Sequence, residues 1–294
     1  MRATLKRLIW ADYLILACLA ALGVFVWLRI AGTLNYTWAW ERIPNYILRW
    51  DETTGRWLPN LLLQGLITTI RISLYAGLLA LVLGVGLGLA RVSRNAVLRM
   101  LARTYLELLR NIPPVVVVFI FYFFLSEQII AATGLEGWAR GIARRPEGAG
   151  LWGLFFGDMR RFPELMSGVI VLALFESAFV GEIVRAGIES VGRGQREAGA
   201  SLGLTRMDTM RFVVLPQAMK SVTPPLANQF ISLVKDSSII SLISVQDLTY
   251  KTGELVASTR MIFEAWITAA GLYFLLCFSL SLLFRRLERR PDRR

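Results

Sequence analysis

Six stretches of this chain are long and apolar enough to cross a bilayer, and no other feature narrows its possible folds as much. They lie at roughly 8–31, 61–90, 112–132, 167–188, 224–245 and 262–284 of 294 residues, where a crossing needs about 20 apolar residues. Hydrocarbon offers a backbone amide no partner, so each stretch must close its own hydrogen bonds as a helix. The expected fold is an all-α membrane protein with about six transmembrane helices. The second stretch, LLLQGLITTIRISLYAGLLALVLGVGLGLA, carries glycines at 77, 84, 86 and 88 that allow helices to approach closely. Pro113 and Pro114 open the third stretch and Pro224 and Pro225 the fifth, as residues suited to a first helical turn.

A formal net charge of +12 would point to nucleic acid in a soluble chain. Here the basic residues belong to loops that fix orientation, and no nucleic-acid partner is expected. With the amino terminus inside, 20 Lys and Arg fall in cytoplasmic segments and 11 in outer ones. That excess puts both termini of this multi-pass membrane protein in the cytoplasm. The basic start is followed by no small-residue cleavage site, so the first stretch reads as a retained span. Histidine is absent, and Cys18 and Cys277 lie apart in apolar stretches, so neither a catalytic nor a metal site is expected. The outer loop at 32–60 is rich in Trp, as an interfacial belt in contact with lipid would be, and 133–166 is a Gly- and Arg-rich surface insertion.

Between the fourth and fifth stretches lies QREAGASLGLTRMDTMRFVVLP, residues 195–216. Two helical turns here stop at Gly203, a usual role for glycine past a helix end. Thr205 caps a second helix with Asp208 three residues on; that helix carries Met207, Met210 and Val214 and is expected to end before Pro216. The product is a polar elbow with an apolar ridge, which suits docking onto another protein. Its arginines at 193, 196, 206 and 211 suit a loop lying on lipid headgroups equally well.

The pattern E-A-G-x-x-x-G followed by V-x-L-P resembles the EAA loop of permease subunits of ATP-binding-cassette importers. Glu197, Ala198, Gly203, Leu215 and Pro216 match it, while Gly199 stands for the second alanine and Val213 for the usual isoleucine. YLELLRNIPPVVV, FVGEIVRAGIESVGRGQREA and LPQAMKSVTPPLANQFISLVKDSSIISLISVQDL are similar to the polar-amino-acid uptake group of that family. The resemblance covers roughly 60–132 and 163–290. It implies a five-helix permease domain at 60–290, preceded by an extra span and outer loop at 1–59 and followed by a cytoplasmic tail at 291–294. It further implies a coupling loop at about 192–217, in which Glu197, Ala198, Gly203, Leu204, Met207, Leu215 and Pro216 seat in a separate ATPase subunit. The chain has no G-x-x-x-x-G-K-[ST] loop, so ATP and Mg are expected on that partner, with no cofactor and no enzymatic activity in this chain. The other partners implied are a second permease (homodimer or heterodimer), an extracytoplasmic solute-binding protein, and a polar amino acid or another small amino-acid-like solute.

Ionisable groups inside spans default to a functional reading. Counted at 1.5 Å per residue, Glu176, Arg71 and the pair Lys235–Asp236 fall near the middle of a core about 30 Å thick. An amino acid presents an ammonium and a carboxylate, so its path needs both signs. Glu176, Lys235, Asp236, Ser237, Ser238, Asn228, Gln229 and Arg71 are the expected substrate path. Structural ion pairs between helices or subunits would use the same charges. Adjacent residues differ by about 100° on a helix, so Lys235 and Asp236 cannot face one partner. Glu182 and Arg185 should pair at i, i+3 and hold the fourth span against the elbow. An ion-coupled secondary transporter remains as a rival, although such folds carry paired repeats over more spans.

Overall fold

The computed structural model describes residues 10–33, 36–144 and 149–288, so the basic residues of the first nine positions and the tail at 291–294 fall outside it. Two compact units divide the chain at residues 40 and 41. In the first, α1 (Trp10–Thr33) is a single helix of 24 residues. At 1.5 Å per residue that is about 36 Å, enough to cross a bilayer.

The second unit begins with α2 (Ile43–Ile47) and a hairpin of β1 (Leu48–Asp51) and β2 (Arg56–Pro59). Arg49 pairs with Leu58 and Trp50 with Trp57. The expected aromatic belt is therefore partly a folded ribbon. Thr53 and Thr54 hydroxyls donate to the Asp51 carboxylate, and Gly55 supplies the positive φ of 61° that the turn needs. The chain then enters α3 (Leu61–Arg91) and α4 (Ala96–Asn111), whose cap Asn95 accepts from the Val97 and Leu98 amides. Next, α5 (Pro114–Phe121) continues through a π turn into α6 (Glu127–Thr133). The insertion folds as α7 (Leu135–Ala143) and α8 (Ala149–Phe156), and α9 (Phe162–Ser190) follows. The elbow is α10 (Arg193–Ser201) and α11 (Arg206–Asp208), leading to α12 (Leu215–Asp236), α13 (Leu248–Thr259) and α14 (Ile262–Glu288).

Four described segments are long and apolar enough to span a membrane: Leu61–Arg91, Pro114–Thr133, Met159–Ser190 and Ile262–Leu287. The core is the seam between α3 and α9. A Cβ at Gly84 would lie 2.4 Å from Cγ1 of Val180, and one at Gly88 2.6 Å from Cγ1 of Val184. Those glycines let the two backbones meet and stack dispersion contacts along the seam. Gly77 similarly admits the Phe230 ring of α12, whereas Gly86 faces open space. Ile72, Ala76 and Ala80 of α3 are buried with Val169, Leu172 and Ala173 of α9 and Leu233 of α12.

The fifth apolar stretch departs from expectation. Its helix does not begin at Pro224 and Pro225; both lie inside α12, on its exposed side. Nor does the second elbow helix end before Pro216. It widens into a π turn over Thr209–Val214, where the Leu215 amide donates to the Met210 carbonyl five residues back, and runs on as α12. Proline lacks an amide and crowds the carbonyl four residues before it. The wider turn accommodates both without ending the helix. At its far end α12 stops at Asp236, a short 3-10 stretch covers Ser237–Ile243, and Ser244 turns the chain with a φ of 65°.

Candidate functional site

The elbow is built as its sequence predicts, with one addition. Gly203 takes a φ of 80°, and the Leu204 amide donates to the Gly199 carbonyl at 3.1 Å, closing α10. Thr205 Oγ1 accepts from the Asp208 amide at 3.2 Å, and the Thr205 hydroxyl also bonds to the Asp208 carboxylate. Gly199, the departure from the usual alanine, is buried against Thr209: a Cβ there would lie 3.0 Å from Thr209 Cγ2. Glu197, Ala198, Gly203 and Pro216 are exposed, as are Leu202 and Met207 at 81% and 75%. The expected ridge splits. Met207 faces out, while Met210, Val214 and Leu215 turn inward to pack with Val184, Ile188 and Ala218, because the π turn rotates the helix between them. Leu204 is half-buried.

Two further contacts fasten the elbow. The Arg196 guanidinium donates to the Ile188 carbonyl at 2.8 Å in the last turn of α9, and Gln217 Nε2 donates to Gln195 Oε1 at 3.2 Å. Glu182 has a different task from the one expected. It does pair with Arg185 at 2.6 Å, but Arg110 at the end of α4 and Arg91 at the end of α3 also converge on it, at 3.8 and 4.0 Å. Glu182 therefore ties α9 to α3 and α4, not to the elbow. Sequence spacing reveals only the Arg185 partner, since the other two arrive from distant helix ends.

Glu176 is the central residue of α9, fully buried. Gln229 Nε2 of α12 donates to its Oε2 at 2.7 Å, and the Asp236 carboxyl of α12 lies beside it. Its other oxygen, Oε1, meets no N–H or hydroxyl donor among the described residues, and the Asp236 carboxyl is close enough to share a proton with Glu176. An unmatched buried acceptor costs about 1–3 kcal/mol and calls for an explanation. Glu176 borders a cavity of about 400 Å³ between α3, α9, α12 and α14, walled otherwise mainly by apolar groups such as Gly77, Leu226, Phe230 and Phe284. A carboxyl with an open acceptor, an amide and a second carboxyl nearby is suited to receive a donor such as an ammonium or an amide.

The remaining expected path residues separate from this cluster. Lys235 and Asn228 are exposed, as the 100° offset from Asp236 requires for Lys235. The Ser237 hydroxyl donates to the Val234 carbonyl and is spent on the helix end; Ser238 is half-buried, its carbonyl accepting from Ser241. Arg71 lies off the centre of its helix. α3 has 31 residues and a midpoint at residue 76, so Arg71 lies about 7.5 Å toward the hairpin. Its Nη2 donates to the carbonyls of Leu154 at 2.8 Å and Gly153 at 3.3 Å, and Tyr75 one turn on donates to Phe155 at 2.9 Å. Together they cap the carbonyl end of α8, a pairing of a cation with a helix C-terminus. Position counted from the end of an apolar run misplaced Arg71 because the helix outlasts the membrane core.

Residues 55–293 match the family described as the binding-protein-dependent transport system inner membrane component. The chain is 34% identical over 234 residues to the probable glutamine ABC transporter permease protein GlnM of Bacillus subtilis, covering 80% of this chain and 94% of that one. It is also 34% identical over 245 residues to the L-cystine transport system permease protein TcyB of Bacillus subtilis, covering 83% and 92%. Among solved structures, an amino acid ABC transporter with histidines superposes with a TM-score of 0.66 at 29% identity, covering 87% of this chain and all of that one.

Proposed function

Because this chain belongs to the binding-protein-dependent family of inner-membrane transport components, we propose that it is the permease subunit of an ATP-driven importer of polar amino acids, with the elbow in the cytoplasm and the hairpin outside. The observation that carries the reading is one continuous run of helix. It starts at the exposed elbow, passes the π turn and ends at Asp236 beside Glu176. A displacement imposed on the elbow is thereby delivered toward the Glu176 cluster over some 30 residues of unbroken helix, about 45 Å along its length.

In this reading Glu197, Ala198, Leu202 and Met207 present the surface on which an ATPase subunit seats, and ATP and Mg belong to that partner. Leu204, Leu215 and Pro216 then act by shaping the elbow, since Leu204 and Leu215 are half-buried and Pro216 sits at the π turn. The chain supplies a path and not a reaction. Glu176, Gln229 and Asp236 form the transit contact, where the open Glu176 acceptor takes a donor of the solute. The cluster is acidic on its own, so it is suited to an ammonium; the solute's carboxylate needs groups from elsewhere, such as a second permease around a shared axis. A solute-binding protein delivers cargo at the hairpin face. Cargo stays at the level of polar amino acids, since relatives named for glutamine and for cystine match about equally well.

The test is a detergent pull-down of the tagged chain from its native membranes. Recovery of a subunit bearing a phosphate-binding loop, lost with Glu197→Lys while thermal unfolding of the permease is unchanged, is the expected result. Undiminished ATPase recovery with that variant would remove the elbow from the interface.

A further inference from the structure

A second cavity, of about 560 Å³, opens at the hairpin end and shares no lining residue with the midplane one. On α9 its wall reaches Leu165, eleven positions from Glu176, which is about 16 Å along the helix. Its chemistry is also different. Arg49, Arg71, Arg161 and Lys251 line it together with Asp158 and Glu164. Lys251 is paired with Glu254 at 2.8 Å, so three arginines stand against two carboxylates in a hollow that is net positive and still holds both signs. Its volume is within the range of small-molecule sites, roughly 300–1,000 Å³.

Arg71 is held ready in this wall. Its Nη2 is committed to the Gly153 and Leu154 carbonyls, which fixes the guanidinium plane. Its Nη1 lies against Gly157, which has a φ of 79°; a Cβ there would come within 2.7 Å of that nitrogen. Only glycine leaves room for the guanidinium at this point of the wall. The ribbon supplies another cation: Arg49 and its cross-strand partner Leu58 face the cavity, while neighbouring Trp50 and Trp57 pair with each other and take no part in the wall. The ribbon is fastened at its base, where the Asn60 amide donates to the Ile47 carbonyl at 2.9 Å.

We infer that this hollow is a solute site in its own right, holding an amino acid as its zwitterion on the outer side before transfer to the midplane cluster. The carboxylate lies toward Arg49, Arg71 and Arg161, and the ammonium toward Asp158 and Glu164. The inference rests on the importer reading for which face is outside. It addresses what the midplane cluster lacks, since Glu176, Gln229 and Asp236 offer no cation to a carboxylate. Charges recessed in a hollow of this size favour a small solute over an acidic side chain projecting from a docked protein.

The experiment uses the full chain with its ATPase partner in nanodiscs. Cys18 and Cys277 are replaced by Ser, and Thr68→Cys reports from the cavity wall. A charged methanethiosulfonate labels that thiol, with L-glutamine as the probe and its carboxamide, L-glutaminamide, as the control lacking the carboxylate. Millimolar L-glutamine is expected to slow labelling at least about fivefold. The same concentration of L-glutaminamide should not, and Arg49→Gln with Arg161→Gln should abolish the protection with unchanged thermal unfolding. No protection by L-glutamine, in a complex that takes it up in proteoliposomes, overturns the site and leaves the importer intact. Protection that appears only when a solute-binding protein is added makes the hollow a protein-docking notch, which also overturns it. A preparation that recovers no ATPase and takes up no amino acid brings down the importer reading, and the site with it.

Discussion

Gly199→Ala is an informative single change in the elbow, because two effects of known sign oppose each other there. Alanine gains about 0.8–1.0 kcal/mol over glycine inside a helix. Against it stands Thr209, whose Cγ2 would lie 3.0 Å and Oγ1 3.1 Å from the new Cβ. Thr209 cannot swing aside freely, since its hydroxyl donates to the Thr205 carbonyl at 2.9 Å. Overpacking of this kind costs about 1–3 kcal/mol. An overpacking cost of about 1.6 kcal/mol, in the lower half of that range, applies because α10 is a surface helix that can shift by a few tenths of an ångström, so the net expectation is a loss of about 0.7 kcal/mol. A Thr209→Ala background removes both of these atoms. There the same change should gain about 0.9 kcal/mol. Hydrogen exchange of the Leu202 and Gly203 amides, which close the last turn of α10 on the Ala198 and Ala200 carbonyls, reads both values locally. At 1.4 kcal/mol per tenfold, exchange should quicken about threefold in the first case and slow about fourfold in the second. Equal protection by Gly199→Ala in both backgrounds would refute the steric account of why glycine stands at this position.

Other consequences can be checked as directly. Gly84→Leu should cost at least about 1–3 kcal/mol by driving side-chain atoms into Val180, and Val180→Ala should recover part of the lost thermal stability in detergent. No recovery would mean that the seam is not limited by that contact. Arg71→Gln removes charge-assisted bonds worth about 1.5–3 kcal/mol, so amides of α8 should exchange about tenfold faster or more, with Tyr75→Phe milder. Unaltered α8 exchange would show the insertion to be self-supporting. Glu176→Gln is expected to lower uptake in proteoliposomes with assembly intact, and unchanged uptake would reassign Glu176 to a purely structural pair with Gln229.

What the sequence revealed and what it hid follow from the range of the interactions involved. Apolar length marks a span within one segment, and Gly203 with Thr205 marks the elbow within a few residues, so both were readable. The end of the second elbow helix was not. Pro216 is ordinarily a boundary, and only the π turn at Thr209–Val214 lets the helix continue past it. The break after Asp236 was hidden inside an apolar run that reads equally well as one helix. Of the eight residues expected along the substrate path, the three that gather are Glu176, Gln229 and Asp236, brought from two helices whose relative rotation no local pattern specifies. The hairpin did leave a trace in DETTG, where an aspartate and a glycine bracket a tight turn between two tryptophans.

The capping of α8 by Arg71 has a consequence for how the chain is made. Arg71 and Gly153 are 82 positions apart. Chains emerge from ribosomes at about 5–20 residues per second, so Arg71 is made some 4 to 16 s before the carbonyls that satisfy it exist. Through that interval the guanidinium sits in the hairpin-side third of an otherwise apolar helix, where it must reach for the headgroups. The young helix should therefore ride displaced toward the leaflet on the hairpin side and settle only when the insertion arrives, which makes residues 149–156 a late step in the biogenesis of the helix that precedes them.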